Sequence, residues 1–244
     1  MRELISLKEK RAMEFGFSWI FAIIAGAVIL FLAIYGASQI INISKSTQYG
    51  EAAKSLSILY EPLQGVADAQ LQVIKFNKET RIVSDCYTPD VSNFFGRQTI
   101  AVTEKSGFGQ KWAKAGPEIS IYNKFIFADR QEQGKEMYVF SKPLYLGFKV
   151  SDLIMSVSLS EDYCFVSAPN FVLDEIQALG FRNINFTNNL LICEQDSEKI
   201  CFGFNSPGCD IGVFGDVDFT KGTIIKQGKT VAYAGNLLYA GIFS

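Results

Sequence analysis

The longest apolar stretch of the chain lies near its beginning. No charged residue stands between Phe15 and Ser44, and the segment from Phe17 to Ile43 is almost wholly apolar. A helix of about 20 residues crosses a hydrocarbon core of about 30 Å, so this stretch is long enough to span a bilayer. The pattern predicts one transmembrane helix over residues 15–44. We expect it to be kept as a signal anchor, because the run is longer than the core of a cleaved signal peptide.

Basic residues flank the apolar stretch unequally. The N-terminal flank, residues 1–14, holds more of them than the other flank: Arg2, Lys8, Lys10 and Arg11 precede the stretch, and Lys45 and Lys54 follow it. Because Lys and Arg are retained on the cytoplasmic side, this predicts a cytoplasmic N-terminus and an extracytoplasmic bulk of the chain.

Small residues recur on the predicted membrane helix at helical spacing. Ala22 and Gly26 form one small-xxx-small pair, and Ala33 and Ala37 form a second. Such faces let two helices approach closely. The expected partners are therefore the lipid bilayer and a second chain, identical or different, bound through the membrane helix.

Residues 45–74 predict a helical stalk. Apolar residues follow one another there at intervals of three or four: Ala52, Leu56, Leu59 and Leu63. Pro62 is poorly tolerated inside a helix, so a break near Tyr60–Glu61 is expected.

The rest of the chain, residues 75–244, predicts a strand-rich domain. Short segments rich in β-branched and aromatic residues follow one another from Val73 onward. Residues 118–141 suggest a long hairpin with a polar turn at Asp129–Lys135. Residues 222–233 suggest a tighter hairpin around Gln227-Gly228, where glycine supplies positive φ.

One helix is predicted late in the chain, within residues 167–180. Ser167 is a candidate cap, and Gly180 is a candidate stop. Apolar strand-like segments lie on both sides of it, which indicates a βαβ unit with parallel strands. The fold class is thus α+β or mixed α/β, with one N-terminal transmembrane helix and one late βαβ unit. The apolar run that ends at Ser244 suggests that the natural chain continues beyond this residue.

Composition excludes several classes of function. The chain has 244 residues, no histidine and a formal net charge of −2. Without histidine there is no Ser-His-Asp or Cys-His nucleophile and no His-ligated metal. A slightly acidic chain lacks the basic field that nucleic acids need, so no nucleic-acid partner is expected. Catalytic, cofactor-binding and metal residues are all predicted to be absent.

The chain has five cysteines: Cys86, Cys164, Cys193, Cys201 and Cys209. If the domain faces an oxidising exterior, disulfides are expected among them. Cys193 and Cys201 are the candidates for a disulfide across a hairpin, since residues 189–204 alternate an apolar run, a polar turn and a second apolar run. The alternatives are buried free thiols and a metal site on Cys193, Cys201 and Cys209.

Three further motifs are weak. Gly228-Lys229-Thr230 is similar to the end of a phosphate-binding loop, but the required earlier glycine is replaced by Thr223. Three aspartates offer a calcium alternative without EF-hand spacing: Asp210, Asp216 and Asp218. Asn185 begins an N-glycosylation sequon, which matters if the domain is exported.

Two stretches resemble a family of uncharacterised single-pass membrane proteins from small-genome archaea. One is the membrane segment from Met13 to Gly36. The other is a scattered C-terminal set: Ile200–Gly203, Cys209–Ile211 and Leu238–Ser244. The resemblance covers less than a third of the chain and implies membrane localisation without an activity.

A second resemblance is to archaeal pilin precursors, which have a short basic leader before a Glu-Phe-containing hydrophobic helix. Here Lys10-Arg11-Ala12 precedes Met13-Glu14-Phe15. Glu14 stands second after the presumed cleavage site, whereas those precursors carry the glutamate fifth.

The sequence therefore favours a non-enzymatic, membrane-anchored envelope protein that serves binding, assembly or surface structure. The alternatives are a pilin-like subunit of a surface filament and an exterior hydrolase that uses carboxylate or lysine chemistry.

Overall fold

The computed structural model describes residues 17–60, 71–86, 97–105, 111–122, 125–145 and 147–244. The chain divides into two compact units, Met1–Lys45 and Ser46–Ser244. The predicted cytoplasmic segment 1–14, with its basic residues and the residues of the pilin resemblance, lies outside the described residues.

Helix α1 spans Phe17–Leu59. In the first unit, none of the apolar side chains that it carries between Trp19 and Ile43 is buried in the protein. Among the described residues, α1 is the one helix long and apolar enough to cross a membrane. A helix in the core of a soluble protein would bury such side chains, so this helix is a candidate membrane span or signal anchor.

The predicted stalk is helical only in part. Helix α1 ends at Leu59, where Pro62 leads us to expect a break. Residues 61–70 lie outside the described part of the chain. Strand β1 then begins at Leu71, before the position at which the sequence predicted the strand-rich domain to start.

The second unit contains two six-stranded sheets. The strands of the first are β1 (Leu71–Cys86), β2 (Arg97–Glu104), β3 (Ile119–Tyr122), β4 (Phe125–Phe127), β5 (Gln131–Tyr145) and β6 (Lys149–Ser158). Their order is β3-β2-β1-β5-β6-β4. All neighbours are antiparallel except β4, which is parallel to β6.

The predicted hairpin over residues 118–141 is wrong. β3 pairs with β2, and β4 pairs with β6, so neither pairs with β5. Local alternation of apolar and polar residues predicted the strands. The pairing depends on which long strands are already neighbours, and β5 is occupied by β1 and β6.

The second sheet follows in the chain. Its elements are β7 (Tyr163–Val166), α2 (Asn170–Leu179), β8 (Ile184–Thr187), a 3₁₀ helix (Leu190–Ile192), β9 (Glu198–Phe202), β10 (Ile211–Gly215), β11 (Lys221–Lys226), β12 (Lys229–Ala234) and α3 (Leu237–Ile242). The sheet order is β12-β11-β10-β9-β7-β8. β8, β7, β9 and β10 are parallel, whereas β11 and β12 continue the sheet antiparallel.

The late βαβ unit is present as β7-α2-β8. Gly180 ends α2 in the left-handed conformation, with φ of 79°. Ser167 does not cap the helix. It follows β7 directly with φ of 56°, and its N–H donates to the Thr187 carbonyl at 2.8 Å. The hairpin of β11 and β12 also agrees with the prediction, with φ of 51° at Gln227 and 75° at Gly228.

Three apolar clusters lie against the two sheets. The largest joins one face of each sheet to α2 and α3, through residues such as Phe140, Phe165 and Ile176. A second cluster covers the other face of the first sheet, where the end of α1 contributes Ala53 and Leu56. The third is small and lies on the outer face of the second sheet; its buried residues are Cys164, Val166 and Cys201.

Candidate functional site

A polar cleft lies where β9 and β10 begin. It has a volume of about 690 Å³ and is lined by residues 195–199, Asp210 and the turn at residues 226–228, among others. A neighbouring cleft of about 330 Å³ shares Glu198 and Lys226 with it. We call these two together the acidic cleft.

Lys226 lies at the centre of the acidic cleft. Its Nζ is 3.6 Å from a carboxylate oxygen of Glu198 and 3.8 Å from one of Asp129. The ammonium also donates to the main-chain carbonyl of Ser244 at 2.9 Å. The smaller cleft has one cation among its lining residues, against five acidic ones: Asp129, Glu161, Asp162, Asp196 and Glu198. The cleft therefore attracts cationic groups and repels anions.

Two carboxyl groups of the cleft hold their protons more firmly than free glutamates. Burial, reinforced by the charge of Asp129, raises the pKa of Glu161, whose carboxylate accepts a hydrogen bond from the Tyr163 hydroxyl at 3.3 Å. Burial also raises the pKa of Glu198, and the Lys226 charge opposes that shift. Perturbed carboxyls in a solvent-open cleft are a known feature of functional sites.

The cleft gives no sign of a metal centre. Among the described residues there is no group of three or more Cys, Asp or Glu side chains that could hold a metal ion. The calcium alternative fails on geometry, because Asp210 precedes β10 while Asp216 and Asp218 follow it. Asp216 instead accepts two bonds of 2.7 Å from Thr220, which lower the pKa of Asp216.

The segment Gly228-Lys229-Thr230 belongs to a hairpin. Gly228 is the second residue of the turn, and Lys229 opens β12 opposite Lys226. Strand β12 follows it directly, so the helix N-terminus that binds phosphate in a phosphate-binding loop has no counterpart at this position.

The predicted Cys193–Cys201 disulfide is wrong in its pairing, although both residues are oxidised. Cys193 bonds to Cys164, and Cys201 bonds to Cys209. The predicted hairpin is absent, because residues 190–192 form a 3₁₀ helix and β9 runs parallel to β7. The metal alternative is excluded by the same bonds. Cys86 is the remaining cysteine and is free and exposed.

The other predicted sites are accessible. Asn185 is exposed on β8, at one edge of the second sheet. Ala22, Gly26, Ala33 and Ala37 are all exposed on α1, as a packing face for another helix requires. Glycosylation and helix association at these residues stay predictions.

A half-buried ion pair that sequence reasoning missed joins the first sheet to helix α2. The Lys142 ammonium on β5 contacts the Glu175 carboxylate on α2, and the Tyr239 hydroxyl on α3 donates to the same carboxylate. The Lys142 side chain is 4% exposed, and burial lowers the pKa of Lys142 to about 8. A lysine inside the apolar segment 138–146 was the signal available in the sequence.

A second buried polar group lies under the end of α1. Glu132 on β5 is 2% exposed and accepts a hydrogen bond of 2.7 Å from the Ser156 hydroxyl. Burial raises the pKa of Glu132 to about 8. Ser156 also hydrogen-bonds Tyr60, whose pKa burial raises as well. Burial thus favours the protonated form of Glu132, and Ser156 links this carboxyl group to Tyr60, the residue that follows α1.

No family model, no curated protein and no solved structure matches the chain.

Proposed function

We propose that this protein is a signal-anchored envelope protein with a cytoplasmic N-terminus and an extracytoplasmic domain that serves binding, assembly or surface structure without catalysis. The observation that carries the proposal is the combination of two features in one chain. Helix α1 leaves its apolar side chains from Trp19 to Ile43 unburied. The second unit holds two disulfides.

The disulfides support the extracytoplasmic side. Thiols of cytoplasmic proteins are kept reduced in most organisms, whereas disulfides persist in exported domains. Here four of the five cysteines are paired within the second unit, so the unit is suited to an oxidising compartment. The basic N-terminal flank points to the same orientation.

The buried polar groups support a structural role. Lys142 is engaged by Glu175, and Glu132 lies in an apolar cluster beneath α1. Neither lines a cleft among those described. The exterior hydrolase stays a prediction, and Glu161 and Glu198 of the acidic cleft are the residues that suit it best.

Topology mapping with the full chain tests the proposal. The chain is translated in the presence of microsomes that glycosylate on their lumenal side, and Asn185 serves as a natural acceptor. We expect a glycosylated, alkali-resistant membrane product whose modification is lost in Asn185→Gln. An acceptor added before Met1 serves as the reciprocal control and should stay unmodified. Modification of that N-terminal acceptor alone would contradict the orientation, and extraction by alkali would contradict the anchor.

N-terminal sequencing of the native protein separates the anchor from the pilin-like alternative. An intact leader favours the anchor, whereas Met13 as the first residue favours processing of a pilin precursor.

A further inference from the structure

Strand β12 is the longest edge strand in the described part of the second unit. It has six residues, whereas the other three edges, β3, β4 and β8, have three or four. Proteins blunt their edges with short strands, charges or proline. β12 reads Lys-Thr-Val-Ala-Tyr-Ala and carries one charge, Lys229, at its very beginning. Its outer edge is thus suited to pair with another strand.

The hairpin geometry determines which groups face outward. A two-residue turn is closed by a pair of residues that exchange both hydrogen bonds, here Lys226 and Lys229. Because bonded pairs alternate along an antiparallel ladder, the N–H groups of Lys229, Val231 and Tyr233 point to β11. Those of Thr230, Ala232 and Ala234 point away from the sheet. Among the described residues, no strand pairs with this side of β12.

One apolar side chain on this edge is exposed although it faces the core side. Val231 lies opposite Ile224, which is buried, yet Val231 is 59% exposed. It borders an apolar cleft of about 470 Å³ between β12, α3 and the end of β4, together with Tyr233 and Leu237. The core of the second sheet therefore stays open beside β12.

We propose that β12 pairs antiparallel with β12 of a second copy of this chain, about a two-fold axis at Val231. Such an axis, perpendicular to the sheet, leaves the apolar faces of both copies on the same side. Val231 then lies opposite Val231, Thr230 opposite Ala232, and Lys229 opposite Tyr233. The second sheet of one copy and the second sheet of the other then form one continuous sheet of twelve strands.

The register is self-complementary. The outward N–H groups of Thr230 and Ala232 meet carbonyls of the facing pair, so those two residues form the bonded pair. No two lysines face each other, because Lys229 falls opposite Tyr233, which is buried and uncharged. The two Val231 side chains then cover each other. Each of them is thereby buried, whereas in the single chain Val231 is exposed.

A second copy is the occupant to expect, because identical chains in one membrane are confined together. A six-residue edge buries too little surface for a tight dimer in dilute solution. Confinement to a bilayer raises the effective concentration and so supports a weak contact. The inference deepens the proposed assembly role and depends on it for this confinement.

Cysteine cross-linking of the full chain in proteoliposomes tests the pairing. In a Cys86→Ser background, Val231→Cys places two thiols at a non-bonded pair with Cα atoms about 4.5 Å apart, a distance that suits a disulfide. Val217→Cys is the matched control, because Val217 is 97% exposed on a turn. Under mild oxidation we expect dimer at position 231 to form about tenfold faster than at position 217. Equal rates at the two positions would overturn the pairing.

A proline substitution tests the hydrogen bonds. Ala232→Pro removes one outward N–H and leaves the bonds to β11 in place, whereas Ala232→Ser keeps the N–H. We expect Ala232→Pro to abolish the Val231→Cys dimer and Ala232→Ser to keep it. A dimer that persists in the proline variant would overturn the pairing. The membrane fraction of each sample is measured alongside, so loss of the anchor is distinguished from loss of the strand contact.

Discussion

The two sheets of the second unit have the same number of strands but are covered differently. The outer face of the first sheet lies under the end of α1 and buries a full apolar cluster there, together with the buried Glu132. Among the described residues, the outer face of the second sheet has no α-helix over it and carries only the short 3₁₀ helix Leu190–Ile192. Short crossover segments lie over it, and the Cys164–Cys193 and Cys201–Cys209 bonds hold them. A face with little apolar surface to bury is thus stabilised covalently, because the disulfides lower the entropy of the unfolded chain.

The comparison leads us to expect that a rise in pH from about 4.5 to about 8 loosens the first sheet and a reductant loosens the second. A rise in pH ionises Glu132 at the first sheet, and a reductant breaks the two disulfides at the second sheet.

The largest effect is expected from the pH dependence of Glu132. Its pKa of about 8 exceeds the ordinary value of 4.5, so the folded state binds this proton more tightly than the unfolded chain. The resulting stability is fully present below pH 4.5 and is lost as the pH rises to about 8, on the order of 5 kcal/mol in total. In Glu132→Gln this loss should disappear, and the variant should exceed the wild type above pH 8. Urea unfolding from pH 4 to pH 9 measures it; parallel pH profiles would contradict the role of Glu132.

Removal of the Cys164–Cys193 bond is expected to cost about 3.5 kcal/mol, because it closes a long loop. The shorter Cys201–Cys209 loop should cost about 2.5 kcal/mol. In Cys164→Ala/Cys193→Ala, amide hydrogen exchange should accelerate in β7, β8 and β9 and stay unchanged in β1 and β5. Equal acceleration in both sheets would mean that the disulfide stabilises the whole unit rather than one face.

Truncation of Leu56 tests the helical cover of the first sheet. Leu56 is 2% exposed, so Leu56→Ala should destabilise the unit by about 3 kcal/mol through lost burial and a residual cavity. Ile58→Ala is the matched control on the same helix, because Ile58 is 53% exposed and should change stability by less than about 0.5 kcal/mol. Exchange should accelerate first in β1 and β5. A Leu56 effect as small as that of Ile58 would refute the packing of α1 on this sheet.

The smallest of these effects is expected at the ion pair between Lys142 on β5 and Glu175 on α2. Glu175→Gln keeps the shape but removes the charge that Lys142 faces, at a cost of about 2 kcal/mol. Since the contact joins β5 to α2, exchange should rise in both sheets together. Because Lys142 then loses its partner charge, its own pKa should fall further, which NMR titration of the ammonium detects. An unchanged titration of Lys142 would argue against the contact.

Features with a local cause were predictable from the sequence. The β7-α2-β8 unit follows from a helix period between two apolar segments, and the β11-β12 hairpin follows from Gln227-Gly228. The pairing of β3 and β4 was not predictable, because partners are chosen by long-range packing. The same reason explains the cysteines. Cys193 and Cys201 lie close in the chain, but the parallel arrangement of β7 and β9 brings Cys164 to Cys193 instead.

The acidic cleft was not predictable from the sequence either. Asp129, Glu161, Glu198 and Lys226 come from four separate segments and meet only after both sheets have formed. No spacing rule connects residues so far apart, and each of them alone resembles an ordinary solvated charge.

The apolar helix was predictable from the sequence alone. The free energy of transferring a long uncharged segment out of water is additive along the chain and needs no partner residue. The absence of histidine excluded whole classes of chemistry in the same way. Strand partners, disulfide connectivity, the buried acid and the open edge of β12 depended on the tertiary structure. Each of these results from contacts between segments that are distant in the chain. A local sequence pattern contains no information about the entropy of closing the intervening loops or about the surface that the segments bury against each other.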